Sequence, residues 1–446
     1  MSLVKDIFSG IEAALLGGVT SEADSTVKSP SGDIQPGDIS IDSITLLSED
    51  RQRKYSLMSQ VVGIDIWESL MSPCIFCELT VADAIGLYQS FPIIGEEYVS
   101  IKFKTPGSTS PVNYLFRVNK IEDKKVSDNN MMVTYRLQLV SVELMRNATR
   151  LVNRSYNGNI HDIVTSIVKE DLQTEKPIII DKTTGIEKGT ITRMTPFKAI
   201  DFLRRRSVSG EFKSSSYVFY ESRDGFVFTT LEKLIQKGQK SVDSEHNDKQ
   251  FFFDTVRHDN IKDVSIRNII SYNVISFADT ITKAAEGGIK NEVNSFDLVT
   301  GDIKKVTYKD DGRAGFKNMD KNGAPTSTSG FIRKHGQTTA VRKIMPISSD
   351  LPATQRPEMA SLLAAFTQNV SQNITRIHVY GDSEIRIGDV IKCTLPAAIS
   401  ADKSEQSRLE TGNYLVTKVR HLILNNDRPQ HTMALELIKG NFAENI

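Results

Sequence analysis

Residues 412–438 read GNYLVTKVRHLILNNDRPQHTMALELI, and GDVIKCTL precedes them at 388–395. Both have counterparts near the start of the chain. GEEYVSIKF stands at 95–103, NYLFRVNKI at 113–121 and MMVTYRLQLV at 131–140. The order is the same in each half: a glycine turn, an alternating strand, a strand opened by Asn-Tyr-Leu, a loop, and a second alternating strand. Val99, Ile101 and Phe103 answer to Ile391, Cys393 and Leu395. Val133, Tyr135 and Leu137 answer to Met433, Leu435 and Leu437. Apolar residues at every second position mark strands with one buried face. One such match is cheap, because strands share composition; an ordered set is not. The reading is a duplicated antiparallel β-barrel. Three chains with two similar barrels each would make a ring of six units, closed by heterologous contacts. Such a ring could join a sixfold object to a threefold one.

Outward from the repeat, the pattern changes. Ile160, Ile163, Val164, Ile167, Val168 and Leu172 follow helical spacing behind Asn159, a cap candidate with Asp162 three residues on. Thr195-Pro196 opens a second helix, with Phe197, Ile200 and Leu203 inside and Gly210 beyond its end. YVFYESRDGFVFTT at 217–230 predicts a hairpin about Arg223-Asp224-Gly225. FFFDTV and ISYNVISF suggest strands, Lys309 to Gly330 an exposed loop, and Pro357 onward a helix carrying Leu362, Leu363, Phe366 and Val370. The expected class is α+β and β-rich: two similar antiparallel β-barrel domains, a small α/β module and an inserted β/loop region. The expected bounds are 1–38 for an N-terminal amphipathic helix and linker, 39–150 for the first barrel, 151–240 for the α/β module, 241–358 for the β-rich region with its loop, and 359–446 for a helix and the second barrel.

Composition narrows the function. The 446 residues carry 55 Lys plus Arg against 55 Asp plus Glu. A net charge of zero argues against a chain whose main task is neutralising phosphates. Three cysteines, Cys74, Cys77 and Cys393, fit synthesis in a reducing compartment rather than a disulfide framework. The N-terminal run has Val4, Ile7, Phe8, Ile11, Leu15 and Leu16 on one helical face, but Asp6 and Glu12 interrupt it. It reads as a helix that docks on protein rather than a signal peptide. No stretch reaches the length of a membrane span.

The chemistry-bearing residues form no constellation. Cys74 and Cys77 lack two further ligands nearby, and residues three apart on a strand face opposite sides. They read as core cysteines. His421, on an expected barrel strand, reads as a packed or hydrogen-bonded histidine. Ser25-Thr26-Val27-Lys28 has a nucleophile-and-base spacing but lies in the linker without companion motifs. Glu96-Glu97 and Asp310-Asp311 read as solvated pairs beside turns. Arg204-Arg205-Arg206 ends a helix, where cations suit the macrodipole. No catalytic, cofactor-binding or metal-binding residue is assigned, and no cofactor is expected.

VVGIDIWESLMSPCIFCELTVADAIGLYQSFPIIGEEYVSIKFKTP at 61–106 resembles the first barrel of the baseplate central hub proteins of contractile-tailed bacteriophages. The matching features are Glu68-Ser69, Pro73, Asp83 and the turn Pro92-Ile93-Ile94-Gly95-Glu96-Glu97. Tyr156 to Leu234 resembles the family's α/β segment, through Thr195-Pro196-Phe197 and the Tyr-rich hairpin. Arg376 to Leu395 resembles its second barrel, through Gly381-Asp382 and Gly388-Asp389. The resemblance spans about two thirds of the chain. It implies a structural virion protein of the tail baseplate, assembled in the host cytoplasm and not an enzyme. It implies a homotrimer joining the sixfold tail tube to the threefold central spike. The implied partners are the central spike protein, the tail tube or tube-initiator protein, the tape-measure protein and baseplate wedge proteins, with DNA only in transit and no stable membrane insertion. The rival readings are a hub or spike component of a type VI secretion or other contractile injection system, a cell-wall hydrolase, and a nucleic-acid-binding protein.

Overall fold

The computed structural model describes residues 33–253, 265–309, 373–397 and 407–443 with short breaks, and the strand segments 323–325 and 341–347. The N-terminal helix, Ser25 to Lys28, Asp310-Asp311, most of the 309–330 loop and the helix expected after Pro357 lie outside the described residues.

The first half lays down β1 (Ser40–Leu47), β2 (Lys54–Ser56), β3 (Val61–Ser69), β4 (Phe76–Asp83), the short helix α1 (Leu87–Ser90), β5 (Tyr98–Lys104), β6 (Val112–Val126) and β7 (Val133–Ser141). Next come α2 (Val142–Thr149), β8 (Val152–Asn159), α3 (Ile160–Ser166), continued by a π turn over Ile167–Asp171, and β9 (Ile178–Ile180). They are followed by β10 (Ile186–Met194), α4 (Pro196–Arg204), β11 (Tyr217–Ser222), β12 (Gly225–Thr230) and α5 (Leu231–Val242). The chain continues through β13 (Gln250–Phe252), β14 (Ile269–Phe277), β15 (Lys290–Asp297), β16 (Ile303–Lys309), β17 (Gly323–Pro325) and β18 (Val341–Ile347). It finishes with β19 (Asn373–Tyr380), β20 (Val390–Thr394), β21 (Gly412–Leu424), β22 (Gln430–Ile438) and β23 (Asn441–Ala443).

The repeat is visible in the strand order. The first half runs β3-β4-β7-β6-β5-β1, and the second runs β14-β19-β22-β21-β20-β13. Each position in one row has a counterpart in the other. The last differs in direction: β1 pairs antiparallel with β5, whereas β13 pairs parallel with β20. The second row takes β13 and β14 from before residue 358, inside the segment read from sequence as an inserted region.

Register corrects one detail of the sequence comparison. Ile101 stands opposite Tyr114, and Ile391 opposite Tyr414. The Val118 N–H donates to the Glu97 carbonyl and the Val416 N–H to the Asp389 carbonyl, so these valines are counterparts: Val99, Ile101 and Phe103 keep Ile391, Cys393 and Leu395, and Tyr414 takes the place of Phe116, two residues on from Tyr114. Beyond the Asn-Tyr-Leu strands, both ladders bulge, before Lys120 and before Lys418. These lysines face Gln138 and Glu436, which pairs Tyr135 with Met433 and Leu137 with Leu435. A period of two makes a two-residue slip invisible to pattern matching, because the same face stays inside.

Each half has its own core. Ile44, Ile64, Leu79, Ile101, Phe116 and Leu137 belong to one cluster drawn from β1 to β7. β1 and β3 lie at opposite ends of the row yet share that core, so the sheet curls around it. Val379, Ile391, Leu415, Val419, Leu435 and Leu437 anchor the second cluster. The α/β module forms a third. α3 turns Ile160 and Val164 inward, α4 turns Phe197, Ala199, Ile200 and Leu203 inward, and both meet Tyr217, Phe226 and Phe228 of the hairpin. Each fully buried Ile, Leu or Phe contributes about 1.5–3 kcal/mol. The hairpin turns at Ser222↔Gly225 as its sequence predicts. Gly225 has φ +125°, and a Cβ there would meet the Pro177 carbonyl oxygen at 2.1 Å.

Candidate functional site

The feature that distinguishes this molecule is the joint between its halves. β21 changes neighbours along its length. Val390 to Cys393 of β20 pair with its first residues, from Leu415 back to Gly412. Its far half, Lys418 to Leu424, pairs antiparallel with β3 from Ser69 to Gly63. The two rows therefore form one continuous sheet.

Side chains close the joint on both faces. On the outer face Arg420 grips Asp65 with two hydrogen bonds, Nε at 2.8 Å and Nη2 at 2.6 Å, and its guanidinium lies 5.3 Å from the Trp67 ring centre. Asn425, buried at the end of β21, donates from Nδ2 to the carbonyls of Met58 and Val61 at 2.9 and 2.7 Å. Arg428 reaches back to Asp38 with Nε at 2.9 Å and Nη2 at 2.7 Å. Burial alone would raise the Asp38 pKa, but the Arg428 hydrogen bonds and charge hold it below the usual carboxylate range. Thr105 and Ser383 exchange bonds, each backbone N–H donating to the other's hydroxyl at 3.2 and 2.9 Å.

Inside the joint sits a histidine pair. His421 Nδ1 lies 3.0 Å from His431 Nε2, and the Phe103 ring of the first half meets both imidazoles in T-shaped contacts, centroids 6.0 and 5.8 Å away. Burial drives both imidazoles toward the neutral form, His431 down to about 3 and His421 well below its ordinary value. Gly381 makes room: a Cβ there would meet the His431 ring at 2.0 Å. Nearby, Tyr114 donates its hydroxyl to buried Glu68. Burial pushes the Glu68 carboxyl up to about 7, against the opposing pull of Tyr114 and Arg223.

A second buried cluster fastens the α/β module to the first half. Lys176 donates to Glu143 at 2.8 Å and to Glu221. Glu221 also accepts from the Ile75 N–H at 3.1 Å and from Ser141. Burial would lower Lys176, but the two carboxylates outweigh it and raise its pKa. Of the two acids, Glu143 is held below its usual range, because Lys176 outweighs the burial that would raise it. Glu221 is raised, by burial first and by the Glu143 charge beside it.

The residues singled out from sequence are dispersed. Cys74 joins the α/β core and Cys77 the first-half core. Both are free and buried, and burial pushes the Cys74 thiol up to about 11. Glu96 is exposed, but Glu97 is buried and accepts N–H bonds from Ile94, Gly95 and Glu96 at 2.9, 3.0 and 3.1 Å. It therefore closes the Gly95 turn (φ +99°) rather than sitting in solvent. Arg204 and Arg205 bind Asp201, and Arg206 stacks 3.6 Å from the Phe202 ring centre. Asn159 bonds Asp162 at 3.4 Å instead of capping α3. Among the described residues, no group of His, Cys, Asp or Glu could hold a metal ion. No helix there is long and apolar enough to cross a membrane. An open cleft in the α/β module is lined by Asp181, Thr183, Ser209, Glu211 and Lys233, and its Asp181 carboxylate is engaged by Thr229 and Lys233.

Sequence reasoning missed His431, Asn425, Arg428 and Lys176. Glu68 and Tyr114 both stood in quoted motifs, but nothing in sequence says that they meet.

The chain shares its fold with two solved tail proteins. The match is with the tail protein of Neisseria meningitidis MC58 (TM-score 0.52, 11% identity, 89% of this chain, 96% of that one). It is repeated with the 43 kDa tail protein of prophage MuSo2 from Shewanella oneidensis (TM-score 0.52, 10% identity, 89% and 98%). A component of the E. coli type VI secretion system, described as similar to the T4 bacteriophage tail proteins gp27 and gp5, overlays more loosely (TM-score 0.43, 10% identity, 85% and 73%). No protein-family model and no curated protein matches the sequence.

Proposed function

We propose that this chain is the central hub of a tail baseplate: a homotrimer that joins a sixfold tail tube to a threefold spike and frames the channel for DNA and tape-measure protein. One observation carries the reading. The same six-strand order occurs twice in one chain, and the copies are locked edge to edge by β21 and β3. Three such chains offer six near-equivalent units on a tube-facing side while remaining threefold elsewhere. The role is mechanical, as part of a virion assembled in the host cytoplasm. The spike protein, the tube or tube-initiator protein and the baseplate wedges are its partners. Glu68, the carboxyl raised toward neutrality, is 4% exposed beneath Tyr114, which suits packing better than acid catalysis on a cell-wall polymer.

The test is the mass of the purified full chain by light scattering, with images of the particle labelled on this chain. A trimer located where tube meets spike is the expected result. A monomer or dimer at all concentrations, or a label elsewhere on the particle, overturns it.

A further inference from the structure

The repeat predicts more than a ring, because it supplies one joint and leaves its counterpart open. Within the chain, the far half of β21 pairs with β3. The counterpart of β21 is β6, and the counterpart of β3 is β14. Among the described residues, no strand pairs with the far half of β6 on the β5 side, and none with the outer edge of β14. We infer that these two edges pair with each other between copies, β6 of one chain adding to β14 of the next, which repeats the β21–β3 joint at each chain boundary. This rests on the trimeric hub reading and names the contact that would close it.

Burial supports the pairing independently. At the closed joint the inward residues Ile64, Ile66, Val419 and Ile423 are at most 3% exposed. Their counterparts are open: Val126 is 53% exposed, and Ile121, Tyr272 and Val274 are half-buried. These apolar positions lack the cover that the internal joint provides. β14 adds a second reason. Its nine residues, IISYNVISF, carry no charge, and its outward Ile270 and Ile275 are both 45% exposed. An uncharged, β-branched edge is a template for strand addition unless something covers it.

Register follows from the matched ladders. Leu422 faces Thr432 and Asp65, and Lys125 faces Thr134, the counterpart of Thr432. Asp65 faces Glu78 and Asn273 faces Arg376, counterparts in their turn. Lys125 of one copy therefore stands opposite Asn273 of the next, and Val126 opposite Tyr272.

Directly opposed residues on antiparallel strands come within disulfide reach. A chain carrying Lys125→Cys and Asn273→Cys is oxidised mildly and run on a non-reducing denaturing gel beside each single variant. The native cysteines are buried and free. The expected result is a covalent trimer from the double variant and none from the singles. Val126→Asp, at a position already exposed, is expected to weaken trimer formation at least tenfold while the far-UV circular dichroism of the monomer stays unchanged. A wild-type trimer that gives no bond with Lys125→Cys paired to either Asn273→Cys or Ser271→Cys overturns the strand pairing and leaves the hub intact. So does a Val126→Asp chain that assembles normally. A wild-type chain that never assembles overturns the hub reading itself.

Discussion

His421 on β21 and His431 on the neighbouring β22 meet beside the joint, Nδ1 to Nε2 at 3.0 Å, both buried. At that distance one ring must donate and the other accept, so at least one is neutral; burial makes both so. Folding therefore selects histidines that bind fewer protons than the unfolded chain does.

The pH dependence has a definite sign. A histidine whose folded pKa is depressed contributes stability that is complete above its ordinary value of 6.5 and is lost as pH falls toward the folded value. The expected loss is about 1.4 kcal/mol per pH unit per histidine. Urea melts of wild type and His431→Phe between pH 7 and pH 4 check this: the variant should show the shallower slope.

Glu68 acts in the opposite direction. Its folded pKa is raised from 4.5 to about 7, so its contribution is full below 4.5 and lost as pH rises through 7. Glu68→Gln keeps an acceptor for Tyr114 without the charge. At pH 8 it should be more stable than wild type by up to about 3 kcal/mol, and at pH 4 little different. Equal melts at pH 8 would show that the carboxyl ionises in the fold without cost.

Much of the fold was legible because its signals are local. Alternation in 98–104 and 430–438, the Arg223-Asp224-Gly225 turn and the Thr195-Pro196 start each depend on a few adjacent residues. The repeat was legible as an order of such signals. Its register was not, because a two-residue slip preserves the inward face. The joint was not legible either. Lys418 to Leu424 looks like any central strand, and nothing in it specifies β3 as its neighbour. Histidines and carboxyls gain their character from burial, which is a property of the assembled core.

Gly381→Ala tests the space around the histidine pair. The new Cβ falls 2.0 Å from the His431 ring, so ring or backbone must move. A loss of about 1–3 kcal/mol is expected, the range for an overpacked core. Combining it with His431→Ala should recover part of the loss, which a double-mutant cycle measures.

The contacts across the joint should not be equal. The Arg420–Asp65 pair is partly exposed, with Arg420 at 44%, and its coupling energy should stay under about 1 kcal/mol. Asn425→Ala strips the carbonyls of Met58 and Val61 of a buried donor, and should cost about 1–3 kcal/mol. Chemical denaturation of the two single variants ranks them.

Lys176→Met leaves Glu143 and Glu221 facing each other without a cation. A loss of about 3–5 kcal/mol is expected. Limited proteolysis should then cut between the first half and the α/β module earlier than in wild type, whereas an unchanged pattern would show that the apolar contacts alone hold the module.

The β21–β3 pairing also has a consequence in time. Asp65 and Arg420 are 355 residues apart. At a ribosomal pace of about 5–20 residues per second, β3 is made some tens of seconds before the strand that covers it. Throughout that interval Ile64 and Ile66 have no β21 to shelter them. The first half must emerge, fold around Leu79 and Leu137, and wait with one flank bare in a cell crowded with sister chains. The hazard of synthesis is then an open strand edge, covered by the chain's own C-terminal half, and it is the same kind of surface that the proposed contact between copies would use.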